Sequence, residues 1–282
     1  MEISEFYRPS TKDQDTMYIK EINGYKVFIV LDGHGFNSKK YVELIKFKFN
    51  EKLVTFNFES NIKEQLKQMF INIDRECNIS NYKSSGTTCS LVMITKDKMY
   101  VASVGDSDVY LFKNDHTLIK LNPDHNGLCR KEMERLKSYP TTQIVYDSNK
   151  FLGQKPVWTN DKFNEMDATI HYYKNRMGEP AVYIKNVSSM LGMTRSIGDY
   201  HLKKAGIICI PEVNEFDIPS TGDQLLIASD GFWDCWSQEE LIQELADLEK
   251  RKLVHKTSQM LNKYYFSNET CDDNSLIHIE FI

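Results

Sequence analysis

The stretch VFIVLDGHGF, Val27–Phe36, decides how the rest of the chain is read. Five apolar residues, the pattern of a buried strand, run directly into Asp32-Gly33-His34-Gly35. The strand therefore ends by presenting a carboxylate and an imidazole together. Asp-Gly after a strand is a common turn, because Asp bonds to nearby backbone and Gly accepts positive φ. The same pair also suits a metal ligand at a strand end, where a glycine lets the backbone approach an ion closely. The stretch alone leaves both readings open.

Outward from it, residues 16–31 predict two strands around Asn23-Gly24, a strong hairpin signal. Apolar residues at helical spacing predict helices over 39–53 and 60–77. Three apolar runs separated by turn residues between 85 and 121 read as a β-meander. The segment from about 125 to 190 is polar and weakly periodic. It reads as an irregular excursion with some helix near 130–138 and a strand at 181–187, and a loop of that length is usually functional. DQLLIASDGFWD (223–234) is a strand that ends, again, in Asp-Gly. Ser237 with Glu240 three residues later forms a capping box that opens a helix over 237–253. The chain closes on a strand, SLIHIEFI. No repeat or linker divides the sequence, so one domain over 1–282 is expected.

The bulk composition narrows the function. At 41% apolar and 27% charged, 282 residues are ample for a large core. A net charge of −5 argues against a nucleic-acid partner or an anionic membrane. The six cysteines are scattered without a C-x-x-C pair, which removes zinc-site spacing and makes a disulfide framework unlikely at this size. They read as reduced thiols in an intracellular, cytoplasmic or nuclear, monomer. No stretch reaches the ~18 to 20 apolar residues of a membrane span.

The second Asp-Gly separates the two readings of the first. IVLDGHG and LIASDGFWD share one form, an apolar strand delivering Asp then Gly. VASVGDSD places Asp106 after a strand, TCDDNSLI places Asp272 and Asp273 before one, and KDQDTMYI places Asp13 and Asp15 before another. Five acidic sites at strand ends, if gathered, repel one another unless a cation lies between them. Hard oxygen ligands point to Mg²⁺ or Mn²⁺ over zinc. Two such ions suit in-line attack on phosphorus.

The motifs DQD, LDGHG, SSGTTCSLV, VASVGDS, LNPDH, LGMTRSIGDYHLK, IPEV, LLIASDGFWD and DDNSLI follow one another in this order. In that order the sequence resembles the PP2C (PPM) family of metal-dependent serine/threonine protein phosphatases. The resemblance implies an α+β fold, a four-layer αββα sandwich of two antiparallel sheets flanked by helices. It implies hydrolysis of phosphoserine and phosphothreonine in a phosphoprotein substrate by a water activated by two Mg²⁺ or Mn²⁺ ions, with room for a third, weaker one. Asp32 then corresponds to the bridging carboxylate and the Gly33 carbonyl to a further ligand. Asp230 and Asp272 correspond to ligands, with Asp273 the near alternative to Asp272, and Asp106 to the ligand of the third ion. His34 corresponds to the acid that protonates the leaving oxygen, a task that suits a group titrating near neutrality. The excursion at about 125–190 occupies the place of the family's flap. Asp199, in TRSIGD, is expected to bracket its own loop, and Arg195 to brace.

Three positions depart from the family pattern. Gln14-Asp15 stands where Glu-Asp is usual, so Asp15 is assigned to the metal site and Gln14 beside it to the metal site or its immediate support. Ser10 stands where many members carry a phosphate-holding Arg, which leaves Arg8 and Lys12 as nearby candidates for phosphate. Lys offers only a point charge where Arg offers a fork. Asp108 stands where an Arg is frequent. These departures keep a second expectation alive: a catalytically weakened pseudophosphatase acting as a binding or regulatory module. A nuclease is disfavoured by the acidic charge.

Overall fold

A computed structural model of the chain describes residues 1–126, 129–136, 138–139, 143–146, 157–159, 183–186, 189–247, 253, 256–257 and 272–282. In chain order the elements are β1 (Glu2–Arg8), β2 (Thr16–Ile22), β3 (Tyr25–Leu31), β4 (Gly33–Gly35), α1 (Ser38–Val54) and α2 (Ile62–Glu76). There follow β5 (Ser85–Thr87), β6 (Cys89–Ile94), β7 (Lys98–Val104), β8 (Asp108–Phe112), β9 (Leu118–Lys120) and α3 (Arg130–Leu136). Then come β10 (Gln143–Tyr146), β11 (Val157–Thr159), β12 (Tyr183–Asn186), β13 (Ser189–Leu191), β14 (Ile197–Gly198) and β15 (Glu212–Asp217). The last are β16 (Gln224–Ala228), α4 (Asp230–Trp233), α5 (Gln238–Ala246) and β17 (Asn274–Glu280).

Two five-stranded sheets carry the architecture, in the orders β1-β17-β16-β8-β9 and β15-β7-β6-β3-β2. Every pairing within them is antiparallel. Side chains alternate between the faces of a strand, and the alternation sorts the layers. On β3, Phe28 and Val30 meet Val92, Val109, Ile227 and Ile277 between the sheets. Val27, Ile29 and Leu31 turn the other way, onto Tyr41, Ile45 and Phe49 of α1 and Leu66 and Phe70 of α2. On β16, Leu225 and Ile227 enter the space between the sheets, while Leu226 and Ala228 meet Trp233, Trp236 and Leu241 on the outside. The result is helix, sheet, sheet, helix: the α+β sandwich expected. VFIVL is apolar without a break because each of its faces is covered.

Local signals fold as read. Asn23 (φ 53°) and Gly24 (φ 81°) turn β2 into β3. Ser237 accepts from the Glu240 amide while the Glu240 carboxylate accepts from the Ser237 amide, and α5 starts there. Three differences are structural findings. The run 85–121 is not a meander in one sheet: β6 and β7 pair in one sheet, and β8 crosses to pair with β16 and β9 in the other. The crossing begins at Gly105, φ 93°, directly before Asp106. The N-terminal residues, for which no element is expected above, form β1, an exposed edge strand whose pairing to β17 is its main support. Within 125–190, read as irregular, β10–β13 form a small antiparallel sheet in the order β11-β10-β12-β13, after α3. The helix expected over 237–253 stops earlier, at Ala246, where Asp247 (φ −84°, ψ 83°) leaves the helical conformation as its C-cap. Much of the excursion lies outside the described residues.

The registers bring the acidic loops to one edge. Thr16 pairs with Leu31, so Asp15 and Asp32 leave the same end of neighbouring strands. Ala228 lies between Asp108 and Leu276, so Asp106, Asp230, Asp272 and Asp273 project from one end of the other sheet. Ile277, fully buried between the sheets, tests the core on which this edge stands. Ile277→Ala is expected to lower unfolding stability by about 2–5 kcal/mol, read from urea denaturation.

Candidate metal centre

The gathered carboxylates act on one another. Asp32 is pushed well above the usual carboxylate range, by burial first and then by the charges of Asp15, Asp230, Asp106 and Asp272. Asp15, 1% exposed, is pushed up to about 7 by burial, with the charges of Asp230 and Asp273 adding to it. Asp230 is raised by burial and by the charge of Asp272. Burial and like charge both disfavour the ionised form, so these groups are held together at a cost.

The two Asp-Gly pairs explain how they come so close. A Cβ on Gly33 would stand 2.5 Å from the Gln14 carbonyl oxygen and 2.6 Å from Val42 Cγ1. A Cβ on Gly231 would stand 2.0 Å from the Asp273 carbonyl oxygen. Each glycine thus lets one acidic loop press against the backbone of the next. Asp273 completes the packing. It is 2% exposed, and its carboxylate accepts from the amides of Ser10 (2.5 Å), Gln14 and Asp15 (3.2 Å). Those bonds outweigh its burial and hold its pKa below the usual range. Asp273 therefore binds the 10–15 loop to the start of β17, whereas Asp272 is the member of the pair whose charge reaches Asp32 and Asp230.

Lys12 stands beside this cluster, its Nζ 3.7 Å from Asp272, and its charge lowers the pKa of Asp230. Arg8 ends β1 opposite Asn274, and its Nη1 is buried without a hydrogen-bond partner. The Gln14 amide nitrogen is turned to the start of α1, donating to Ser38 Oγ and to the Gly35 carbonyl (3.4 Å).

His34 lies next to Asp32 on β4, which pairs with β5. Its Nε2 is 2.7 Å from Asp199 Oδ2, and Asp199 also accepts from Ser196 Oγ at 2.6 Å. Burial alone would lower the His34 pKa, but the charge and hydrogen bond of Asp199 outweigh it, so the imidazole is held above its ordinary value. Asp199, which burial would raise, is lowered by the same pairing. Asp199 thus does more than bracket its own loop: it orients the histidine. The two are 165 residues apart, and nothing in the sequence pairs them.

The segment that carries Asp199 is braced from the excursion. Arg195 holds Glu132 of α3 with Nη2 at 2.5 Å and Nε at 3.1 Å, and Arg135 holds the same carboxylate at 2.7 Å. Burial would raise Glu132, but the two guanidinium groups bring it down to about 2. Arg195 braces, as expected; its partner Glu132 carried no sequence signal. Asp108 also acquires a reason: it is buried, 2.7 Å from Lys120 Nζ, and accepts from Asn122 at 3.1 Å.

The donor set fits a hard cation. Asp15 Oδ2 and Asp230 Oδ1 are buried without hydrogen-bond partners, and such orphaned anionic oxygens want a metal or a proton. Among the described residues, however, no three Asp, Glu, His or Cys side chains close to the spacing of a finished coordination sphere. The five described cysteines that can be assessed are free thiols, and Cys271 lies outside the described residues. No helix among the described residues is long and apolar enough to cross a membrane.

A sandwich with convergent carboxylates at one edge defines a class, and comparison with known proteins names it. The model of the protein phosphatase 2C family matches residues 21–273, and the chain belongs to that family. A bovine relative, protein phosphatase 1L, is 26% identical over 267 residues, covering 90% of this chain and 63% of its own. An Arabidopsis thaliana relative, probable protein phosphatase 2C 11, is 26% identical, covering 97% of this chain and 64% of its own. The chain thus spans just under two thirds of the length of these relatives. The serine-threonine phosphatase 2C structure from Toxoplasma gondii superposes with a TM-score of 0.75 at 16% identity, covering 99% of this chain and 94% of that one. The S. agalactiae serine/threonine phosphatase gives a TM-score of 0.67 at 18% identity over 100% of this chain and 99% of that one. These structures share the fold.

Two measurements check the electrostatics. A carboxyl group whose folded pKa is raised contributes stability that is present at low pH and is lost as pH rises through the folded value. For Asp15 that window runs from about 4 to about 7. In EDTA, the melting temperature is expected to fall as pH rises through that range, and Asp15→Asn to flatten the slope and melt higher at pH 8. For His34, Asp199→Asn removes the negative charge that outweighs burial. The imidazole pKa, followed by NMR, is expected to drop below the ordinary ~6.5.

Proposed function

We propose that this chain hydrolyses phosphoserine and phosphothreonine esters of proteins with the help of two Mg²⁺ or Mn²⁺ ions, and a third held more weakly. The observation that carries the reading is the mutual perturbation of Asp15, Asp32 and Asp230, with Asp106 and Asp272 adding their charge to the same point. Asp15, Asp32, Asp230 and Asp272, with the Gly33 carbonyl, would hold the two ions, and Asp106 the third. Bound divalent ions neutralise the phosphate and lower the pKa of a coordinated water toward that of a nucleophile.

The chain's own residues do the rest. Asp199 engages Nε2 of His34 and favours its protonated form, while Nδ1 is free of any hydrogen-bond partner. A histidine so held can carry a proton for the departing seryl or threonyl oxygen. Lys12, beside Asp272 and half-exposed, supplies the positive charge for the substrate phosphate in place of the family's arginine, and Arg8 is the second candidate. A point charge grips phosphate in the ground state and the transition state alike, so its loss weakens KM more than kcat. The reading as a binding module rests on Gln14 and Ser10. Gln14 spends its amide nitrogen on Ser38 and Gly35, and Ser10 meets Asp273 through its backbone.

Hydrolysis of a phosphothreonine peptide in Mn²⁺, in Mg²⁺ and in EDTA separates the two. Turnover is expected with either ion and not in EDTA, and Asp32→Asn and Asp230→Asn are each expected to reduce it at least about 100-fold. Folded protein that binds Mn²⁺ and turns over no peptide would overturn the phosphatase reading in favour of the binding module.

A further inference from the structure

Phe36 is the most exposed large apolar side chain among the described residues, at 72%. It is also two residues from His34, so its Cα lies within about 7 Å of that of the histidine. Isolated apolar residues on a surface need no explanation in general. This one differs in how firmly its backbone is held while its ring is left in water. Ser85 Oγ donates to the Phe36 carbonyl. The Gln14 amide bonds to Gly35 on one side and Ser38 on the other. Gly35 (φ 86°) and Asn37 (φ 59°) flank it, both in the left-handed region. Gly35 is further tied to Ser85 through the β4–β5 pairing. Burying a phenylalanine side chain is ordinarily favourable. The pinned turn forgoes that contribution and leaves the ring exposed, two residues along the chain from His34.

We propose that Phe36 is a specificity-determining residue of this site, an apolar contact for a substrate side chain one or two positions from the phosphorylated residue. The proposal rests on the phosphatase reading above and names the substrate class: phosphoproteins with an apolar residue flanking the phosphoserine or phosphothreonine. An extended peptide advances about 3.3 Å per residue. With the phosphate at the carboxylates and the leaving oxygen at His34, the ring at position 36 is therefore reached by the immediate neighbours of the phosphorylated residue. A phenylalanine with a fixed backbone loses little conformational freedom on contact, which suits a selecting surface.

The test compares kcat/KM in Mn²⁺ for two phosphothreonine peptides, one flanked by leucines and one by serines, with p-nitrophenyl phosphate as a substrate that has no flanking residues. The native chain is expected to favour the leucine peptide. In Phe36→Ala the ratio of leucine to serine peptide is expected to fall about tenfold, and Phe36→Leu to keep most of it. Phe47→Ala, which removes an exposed ring of α1 distant from the site in the sequence, serves as the control and is expected to leave the ratio as it was. An unchanged ratio in Phe36→Ala, or an equal loss on both peptides and p-nitrophenyl phosphate, would overturn the assignment. A native chain that hydrolyses none of the three would overturn the phosphatase reading, and this assignment with it. Turnover of p-nitrophenyl phosphate with no flanking preference would overturn the assignment alone.

Discussion

Carboxylates do not gather without a force that holds them, and here the force is strand register. Thr16 opposite Leu31, and Ala228 between Asp108 and Leu276, bring loops from the whole chain to one edge of the sandwich. The repulsion there is visible in Asp15, Asp32 and Asp230, whose charged forms are disfavoured by burial and by one another. The inter-sheet core of Phe28, Val30, Ile227, Ile277 and their neighbours supplies the stability that offsets it. In such a design the core positions the site and the site strains the core, and a divalent cation bound among the carboxylates would relieve the strain.

The supports of the site are arranged in the same economical manner. Asp273 collects three amides of the N-terminal loop, and β1 pairs along β17, so the N-terminal residues become part of the site's wall. Asp199 links His34 to the TRSIGD segment, and Glu132 links that segment to α3 at the base of the excursion. The excursion and His34 are therefore two hydrogen-bonded steps apart along one short segment, so a change in how α3 sits has a route to the imidazole.

The departures from the family pattern read differently once their surroundings are known. Asp108 is a buried anion matched by Lys120 and Asn122, a structural pairing at the crossing between sheets. Gln14 is a packing amide that fastens the loop to the start of α1 beside Phe36. Ser10 contributes backbone, and the positive charge near the cluster comes from Lys12 two residues later.

What the sequence determined by itself is local in origin. The unbroken apolar runs VFIVL and LLIA, helical spacing over α1 and α2, the Asn23-Gly24 turn and the Ser237–Glu240 box each depend on neighbours a few residues away, and each folds as read. The two Asp-Gly motifs, with the order of motifs around them, were enough to indicate the family and the carboxylate cluster. Tertiary structure decided the remainder. Periodicity tells which face of a strand is buried but not which sheet receives it, so β8 could cross unannounced. An edge strand such as β1 buries too little to leave a pattern. Asp272 and Asp273 are indistinguishable as letters, and only tertiary structure gives Asp273 the amides of a loop some 260 residues away in sequence. The partner of His34 was hidden for the same reason: a hydrogen bond across 165 residues depends on where two loops end in space, which no local spacing records.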